Sequence, residues 1–187
     1  MKKSDWLAIP NLLSLLRIIL IPVFIYQYIN AETDADYLWA AFTIILSGIT
    51  DWLDGVIARR YNMITDLGKL LDPAADKLTQ LAIIICLVFT WDYIWIVVVI
   101  FIIKEVSLII CDILLLRQGR VMDGALWYGK VSTATFYTCS ILLVAFPNMD
   151  HRIAYTLMFL TAVGLLFAFI SYTRWFIIEL RKKPADK

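Results

Sequence analysis

The sequence predicts an all-α, polytopic membrane protein of six transmembrane helices, with an N-terminal segment suited to the membrane interface. Three observations carry this. Of 187 residues, 61% are hydrophobic and 18% charged, with a mean hydropathy of +0.78, against about 45–50% and 25% in soluble domains. The apolar residues fall into six runs near the ~20 residues needed to span a bilayer. Lys and Arg concentrate in alternate connections, as the positive-inside bias requires.

The runs follow in order. Leu12–Ile29 is broken only by Arg17. Tyr37–Ile57 carries Asp51 and Asp54, and Leu70–Thr90 carries Asp72 and Asp76. Tyr93–Leu116 carries Lys104, Glu105 and Asp112. Ala125–Phe146 carries Lys130, and Ile153–Ile178 has Arg174 near its end. Short connections make neighbours antiparallel. The chain reads as one membrane domain over 1–187: an interfacial segment at 1–11, a six-helix bundle over 12–178 and a basic tail at 179–187. Trp6, Leu7 and Ile9 suit a short interfacial helix, although a frayed terminus fits the same residues. The opening lacks a small-residue cleavage site of the signal-peptide kind.

Lys2 and Lys3 precede the first run, Arg59, Arg60 and Lys69 lie between the second and third, Arg117 and Arg120 between the fourth and fifth, and Arg181, Lys182, Lys183 and Lys187 follow the sixth. Both termini are therefore expected in the cytoplasm. Tyr37, Trp39, Trp91, Tyr93, Trp127, Tyr128 and Trp175 at run ends read as interfacial anchors. Seventeen Lys and Arg against sixteen Asp and Glu leave no basic field for nucleic acid. Cys86, Cys111 and Cys139, odd in number and without CxxC spacing, give neither a disulfide framework nor a zinc site. His151, in an outer connection, reads as solvated, and Gly164 as a helix-packing contact.

Four aspartates at span depth demand compensation, since each costs roughly 2.5–3.5 kcal/mol on insertion scales. Asp51 and Asp54 are three apart, Asp72 and Asp76 four apart, so each pair shares a helix face. Two such pairs can face one another across a helix seam. Hard oxygen donors in that number suit Mg²⁺, Mn²⁺ or Ca²⁺, and the charge excess fits one or two divalent ions. Gly55 and Ala58 leave room beside the backbone, Arg59 can grip a phosphate, and Gly68 opens space one turn before Asp72. Pro73 marks either a helix first turn or a kink. Together these describe a cytoplasm-facing pocket for a pyrophosphate whose tail stays in lipid.

Residues 51–76 read DWLDGVIARRYNMITDLGKLLDPAAD. This resembles the signature D-x2-D-G-x2-A-R-x8-G-x3-D-x3-D of the CDP-alcohol phosphotransferases (CDP-alcohol phosphatidyltransferases). Asp51, Asp54, Gly55, Ala58, Arg59, Gly68, Asp72 and Asp76 match every fixed position. Ile9-Pro10-Asn11, Leu16-Arg17 and Leu71–Lys77 also resemble bacterial phosphatidylglycerophosphate synthases and CMP-forming cardiolipin synthases. The likeness is close over residues 9–80 and loose beyond. It implies attack of an acceptor hydroxyl on the β-phosphorus of CDP-diacylglycerol, with CMP leaving. It further implies two divalent ions, Mg²⁺ or Mn²⁺, on Asp51, Asp54 and Asp72 with help from Asp76, and Asp76 as general base. Asp51, Gly55, Ala58, Arg59 and Gly68 would line the CDP-lipid. A homodimer among membrane lipids, in the cytoplasmic membrane of a bacterium with the active site facing the cytoplasm, completes the expectation.

The acceptor is less defined. Lys104, Lys130 and Arg117 could bind an acceptor phosphate, and Lys104-Glu105 stands where phosphatidylglycerophosphate synthases often show Arg-Glu. This favours glycerol-3-phosphate or a phospholipid headgroup over a neutral alcohol. Asp112, however, occupies a position where those synthases commonly carry a second Arg, and Gly129–Thr133 resembles cardiolipin synthases, whose acceptor is phosphatidylglycerol. Lys104 and Glu105 also read as a buried charge pair. An ion carrier using the same carboxylates is the competing class, but a carrier has no need of the interleaved Gly55, Ala58 and Arg59.

Overall fold

The structure is a computed structural model that describes residues 9–61, 63, 65, 67–117 and 126–181, with the side chains at 59, 69, 70 and 181 outside the description. It holds six helices and, among the described residues, no strand: α1 Ile9–Ile29, α2 Asp34–Arg60, α3 Gly68–Val88, α4 Ile94–Arg117, α5 Trp127–Ala145 and α6 His151–Arg181. Each coincides with one expected run. Ile9, Pro10 and Asn11 begin α1, where Pro10 in the first turn has no N–H to leave unpaired. The rest of the interfacial segment, residues 1–8, lies outside the described residues, as does the tail beyond α6.

Four helices, α1, α2, α4 and α6, are long and apolar enough to cross a membrane. The other two carry the polar cargo. The first half of α3 holds Lys69, Asp72, Asp76 and Lys77, and α5 is rich in hydroxyls from Ser132 to Ser140. Large apolar side chains such as Ile19, Phe42, Ile85, Ile109, Phe159 and Ile170 are exposed along the helices. In water this would be untenable; facing hydrocarbon it is the expected state.

The caps are local. The α2 start is fixed by Asp36, whose Oδ2 accepts from both the backbone N–H (2.9 Å) and the hydroxyl (2.8 Å) of Thr33. The α6 start is fixed by Asp150, whose Oδ1 accepts from the Arg152 N–H at 2.7 Å. Carboxylates here also meet the positive end of the helix dipole. Pro73 lies beyond the first turn of α3, so it can give no N–H to the carbonyl four residues earlier.

The chain divides into two compact units: residues 1–91 with 140–149, and residues 92–139 with 150–187. In the first, α1 packs against both α2 and α3. Its buried face runs Pro10, Ser14, Arg17, Phe24 and Tyr28, a three-four repeat that keeps one stripe inward. The stripe changes character along its length, polar toward the start and aromatic toward the end. Tyr28 Oη and Thr90 Oγ1 lie 2.6 Å apart. Trp91, expected at the interface, is instead buried (4% exposed), and its Nε1 donates to the Leu143 carbonyl at 3.2 Å. A buried carbonyl needs a donor more than the indole needs lipid headgroups.

In the second unit α4 packs on α6. The buried stripe of α6 is Ala154, Met158, Thr161, Leu165, Ala168, Tyr172 and Phe176, again three-four spaced. Phe101 and Phe136 stack with centroids 5.9 Å apart. Gly164 sits against Thr135 and Ser132 in ordinary contact, the packing role expected of it. Tyr93 takes a positive φ of 64° just before α4, a conformation uncommon outside glycine, and its ring meets Tyr155 edge-on at 5.8 Å. All three cysteines are free, with Cys86 and Cys139 buried.

Candidate functional site: a carboxylate cluster gripped by the first helix

The three-residue spacing on α2 turns Asp51 and Asp54 to one side, and α1 meets that side with Arg17. The guanidinium is 1% exposed; its Nη1 lies 2.7 Å from Asp51 Oδ1, and its Nη2 donates to Asp54 Oδ2. Asp54 is buried and Asp51 half-exposed. Arg17 Nε and Nη1 are buried with no hydrogen-bond partner, so Nη1 meets Asp51 as an ion pair rather than a directed hydrogen bond. A buried arginine of this kind is tolerated only because its partners are charged and hydrogen-bonding.

One turn earlier on the same stripe, the Ser14 hydroxyl donates to Asp72 Oδ1 of α3 and also lies 3.0 Å from the Pro10 carbonyl. Asp76 stands one turn beyond Asp72. Its Oδ2 accepts from Gln80 Nε2 at 3.0 Å and lies 3.8 Å from Lys77 Nζ. Asp51 is within electrostatic reach of both Asp72 and Asp76, and Asp54 of Asp72. The aspartates are therefore linked through α1, which packs on both α2 and α3; among the described residues α2 and α3 do not form the direct seam expected from the sequence, because the polar stripe of α1 lies between the two pairs.

The third contact of the stripe fixes the entry to α3. Asn11 Nδ2 donates to Thr65 Oγ1 at 2.9 Å, the Thr65 hydroxyl returns to Asn11 Oδ1 at 3.1 Å, and the Gly68 N–H donates to the same hydroxyl at 2.9 Å. A Cβ on Gly68 would lie 2.7 Å from Asn11 Oδ1 and 3.1 Å from Thr65 Oγ1. Glycine is required by this close approach. Gly55 and Ala58 are partly buried on α2; the side chain of Arg59, expected as a phosphate grip, lies outside the described residues.

The donor set is chemically suited to a hard divalent cation. Among the described side chains, four carboxylates stand with Arg17 and Lys77, so acidic oxygens of the kind Mg²⁺ and Mn²⁺ prefer are in excess. Among the described residues no three acidic, His or Cys side chains converge closely enough to hold an ion as they stand. Asp51 and Asp54 are turned to Arg17, and Asp72 to Ser14.

The residues expected at the acceptor belong to the second unit. Lys104 is buried on α4, and its Nζ donates to Glu105 Oε1 at 2.6 Å and lies 5.9 Å from the Phe101 ring centroid. It is a neutralised cation. Lys130 on α5 and Arg117 at the α4 end are exposed. Gly129 closes on α6: a Cβ there would lie 2.2 Å from Tyr172 Oη. The Tyr128 hydroxyl and Ser132 Oγ are buried without a partner.

Asn11, Ser14 and Arg17 were not picked out by sequence as parts of the carboxylate site. A usable signal exists: three polar residues at three-residue spacing at the start of an otherwise apolar span cannot face lipid.

Comparison with known proteins bears on the same segment. Residues 7–173 match the family model of CDP-alcohol phosphatidyltransferase. The chain is 36% identical to the CMP-forming cardiolipin synthase of Streptomyces coelicolor over 146 residues, 75% of this chain and 64% of that protein. It thus spans less than two thirds of that relative's length. It is 30% identical to the CDP-diacylglycerol–glycerol-3-phosphate 3-phosphatidyltransferase of Wigglesworthia glossinidia brevipalpis, covering 94% of this chain and 96% of the relative. The equivalent protein of Haemophilus influenzae is 29% identical, covering 88% and 90%.

Proposed function

The chain belongs to the CDP-alcohol phosphatidyltransferase family, and on that premise we propose that it transfers the phosphatidyl group of CDP-diacylglycerol to glycerol-3-phosphate, releasing CMP in phospholipid biosynthesis. The observation that carries this reading is the gathering of Asp51, Asp54, Asp72 and Asp76 about one polar corner of apolar helices, beside the close approach at Gly68. End-to-end similarity to two glycerol-3-phosphate phosphatidyltransferases supports the acceptor.

In this reading Asp51, Asp54, Asp72 and Asp76 hold two divalent ions, Mg²⁺ or Mn²⁺. When bound, such ions neutralise the pyrophosphate and the charge growing on the departing CMP. Gly55, Ala58, Arg59 and Gly68 line the nucleotide, with Asp51 beside it. Asp76 accepts the proton of the acceptor hydroxyl. The freed oxygen forms a bond to the β-phosphorus as the bond to the CMP oxygen breaks. Lys104, Lys130 and Arg117 attract the acceptor phosphate. The termini and the reaction face the cytoplasm, the chain works as a homodimer in the cytoplasmic membrane, and surrounding lipids contact its apolar faces.

A second reading takes phosphatidylglycerol as acceptor. Two observations favour it: the 36% identity to a cardiolipin synthase, and the pairing of Lys104 with Glu105, which lowers the positive charge offered to a dianion. The test supplies purified protein with CDP-diacylglycerol, Mg²⁺ or Mn²⁺, and either acceptor, and identifies the lipid product by mass. Phosphatidylglycerophosphate supports the first reading and cardiolipin the second. Absence of CMP release with both, or full turnover by Asp72→Asn, refutes the transferase site; cation flux in liposomes without nucleotide chemistry would instead mark a carrier.

A further inference from the structure

We propose that Arg17 is the resident counter-cation of the carboxylate site: a positioning residue that holds Asp51 and Asp54 together without a metal and contends with a divalent ion for the same oxygens. The inference rests on the metal-site reading above and adds a residue outside the signature of residues 51–76.

Arg17 is the one charge in an apolar run of α1, and it is 1% exposed. Its two terminal nitrogens reach different aspartates, Asp51 and Asp54, one turn of α2 apart. Without that bridge, two carboxylates on one helix face would repel each other and the nearby Asp72. The guanidinium cannot move off with its helix. Ser14 ties the preceding turn of α1 to Asp72, and Asn11 ties the turn before that to Thr65.

Hence an arriving cation and the guanidinium share Asp51 and Asp54, and each weakens the hold of the other. Reciprocity of linked binding makes this a coupling in both directions. Nε and Nη1 make no hydrogen bond, so the Nη2 bond to Asp54 and the Nη1 ion pair with Asp51 alone hold the guanidinium against turning aside.

The full chain, purified in detergent, is compared with Arg17→Gln and Arg17→Lys. Free Mn²⁺ is followed by electron paramagnetic resonance, and thermal unfolding by tryptophan fluorescence in EDTA and in saturating Mn²⁺. Arg17→Gln should bind Mn²⁺ at least tenfold more tightly than the wild type. It should melt earlier in EDTA and recover most of that loss in Mn²⁺. Arg17→Lys, which keeps the charge but not the two-pronged grip, should fall between. A wild type that binds no Mn²⁺ would overturn the metal-site reading itself and this inference with it. A wild type that binds while Arg17→Gln binds equally or more weakly would overturn this inference alone. If Arg17→Gln is unfolded in EDTA, refolding on Mn²⁺ supports the inference. Failure to refold, with Arg17→Lys binding Mn²⁺ like the wild type, overturns it.

Discussion

Replacing Gly68 by alanine adds one carbon where the structure has no room for it. The new Cβ would stand 2.7 Å from Asn11 Oδ1 and 3.1 Å from Thr65 Oγ1. An amide oxygen at the end of a side chain can often swing away. This one is held, because Asn11 is buried and both ends of its amide engage the Thr65 hydroxyl, which also accepts from the Gly68 N–H. Turning the amide gives up two of these bonds, at roughly 1 kcal/mol each, and shifting backbone instead costs about 1–3 kcal/mol. Gly68→Ala should therefore lose about 2 kcal/mol of stability. It should also lose turnover by roughly a hundredfold, the penalty typical of about 1 Å of misplacement at a reacting centre. Unfolding of the solubilised protein followed by tryptophan fluorescence gives the first number, and CMP release the second. Asn11→Ala removes the obstructing oxygen, so the double variant should fall less than the sum of the singles. Strict additivity, or a Gly68→Ala protein as stable and active as the wild type, would refute the steric reasoning.

Ser14→Ala deprives Asp72 of a donor to a charged group and should cost about 1.5–3 kcal/mol, with Asp72 released to reorient. Thermal unfolding and turnover should both fall, turnover the more steeply. Trp91→Phe leaves the Leu143 carbonyl buried without the indole donor. It should destabilise by about 1–3 kcal/mol while the folded fraction keeps its specific activity; a midpoint unchanged in the same melting assay would show the contact to be dispensable. Lys104→Ala removes the buried ammonium that donates to Glu105 and should lower the melting midpoint, whereas Lys130→Ala, on an exposed position, should not. If either holds the acceptor phosphate, acceptor KM rises with CDP-lipid KM unchanged, and equal rises in both would defeat that role.

The helices were legible because burial in lipid leaves an unusually direct imprint. Six apolar runs became six helices, with some starts displaced by a few residues, as where α1 begins at Ile9 ahead of the expected Leu12. The aspartate pairs were legible from spacing alone, since three and four residues are one helical turn. What escaped was the first helix's part in the site. A hydropathy window treats Arg17 as a flaw in a span, and the contacts that give Arg17, Asn11 and Ser14 their purpose cross 37, 54 and 58 residues of chain, beyond the reach of any local period. Trp91 escaped for a related reason: an aromatic at a helix end reads as an anchor until a distant carbonyl is found beneath it. Lys104 was legible as both a phosphate ligand and half of an ion pair, and its bond to Glu105 gives physical form to the second.

Because Asn11, Ser14 and Arg17 recur every three residues, α1 serves as a ruler laid along the carboxylate cluster. One inserted residue between Ser14 and Arg17 would rotate everything after it by about 100°, aiming a guanidinium at acyl chains at a cost of roughly 2.5–3.5 kcal/mol. Substitution on the exposed face of this helix is cheap, but a change in its residue count is not. The spacing of these three polar residues ahead of an aspartate signature is therefore a fingerprint to look for in other chains.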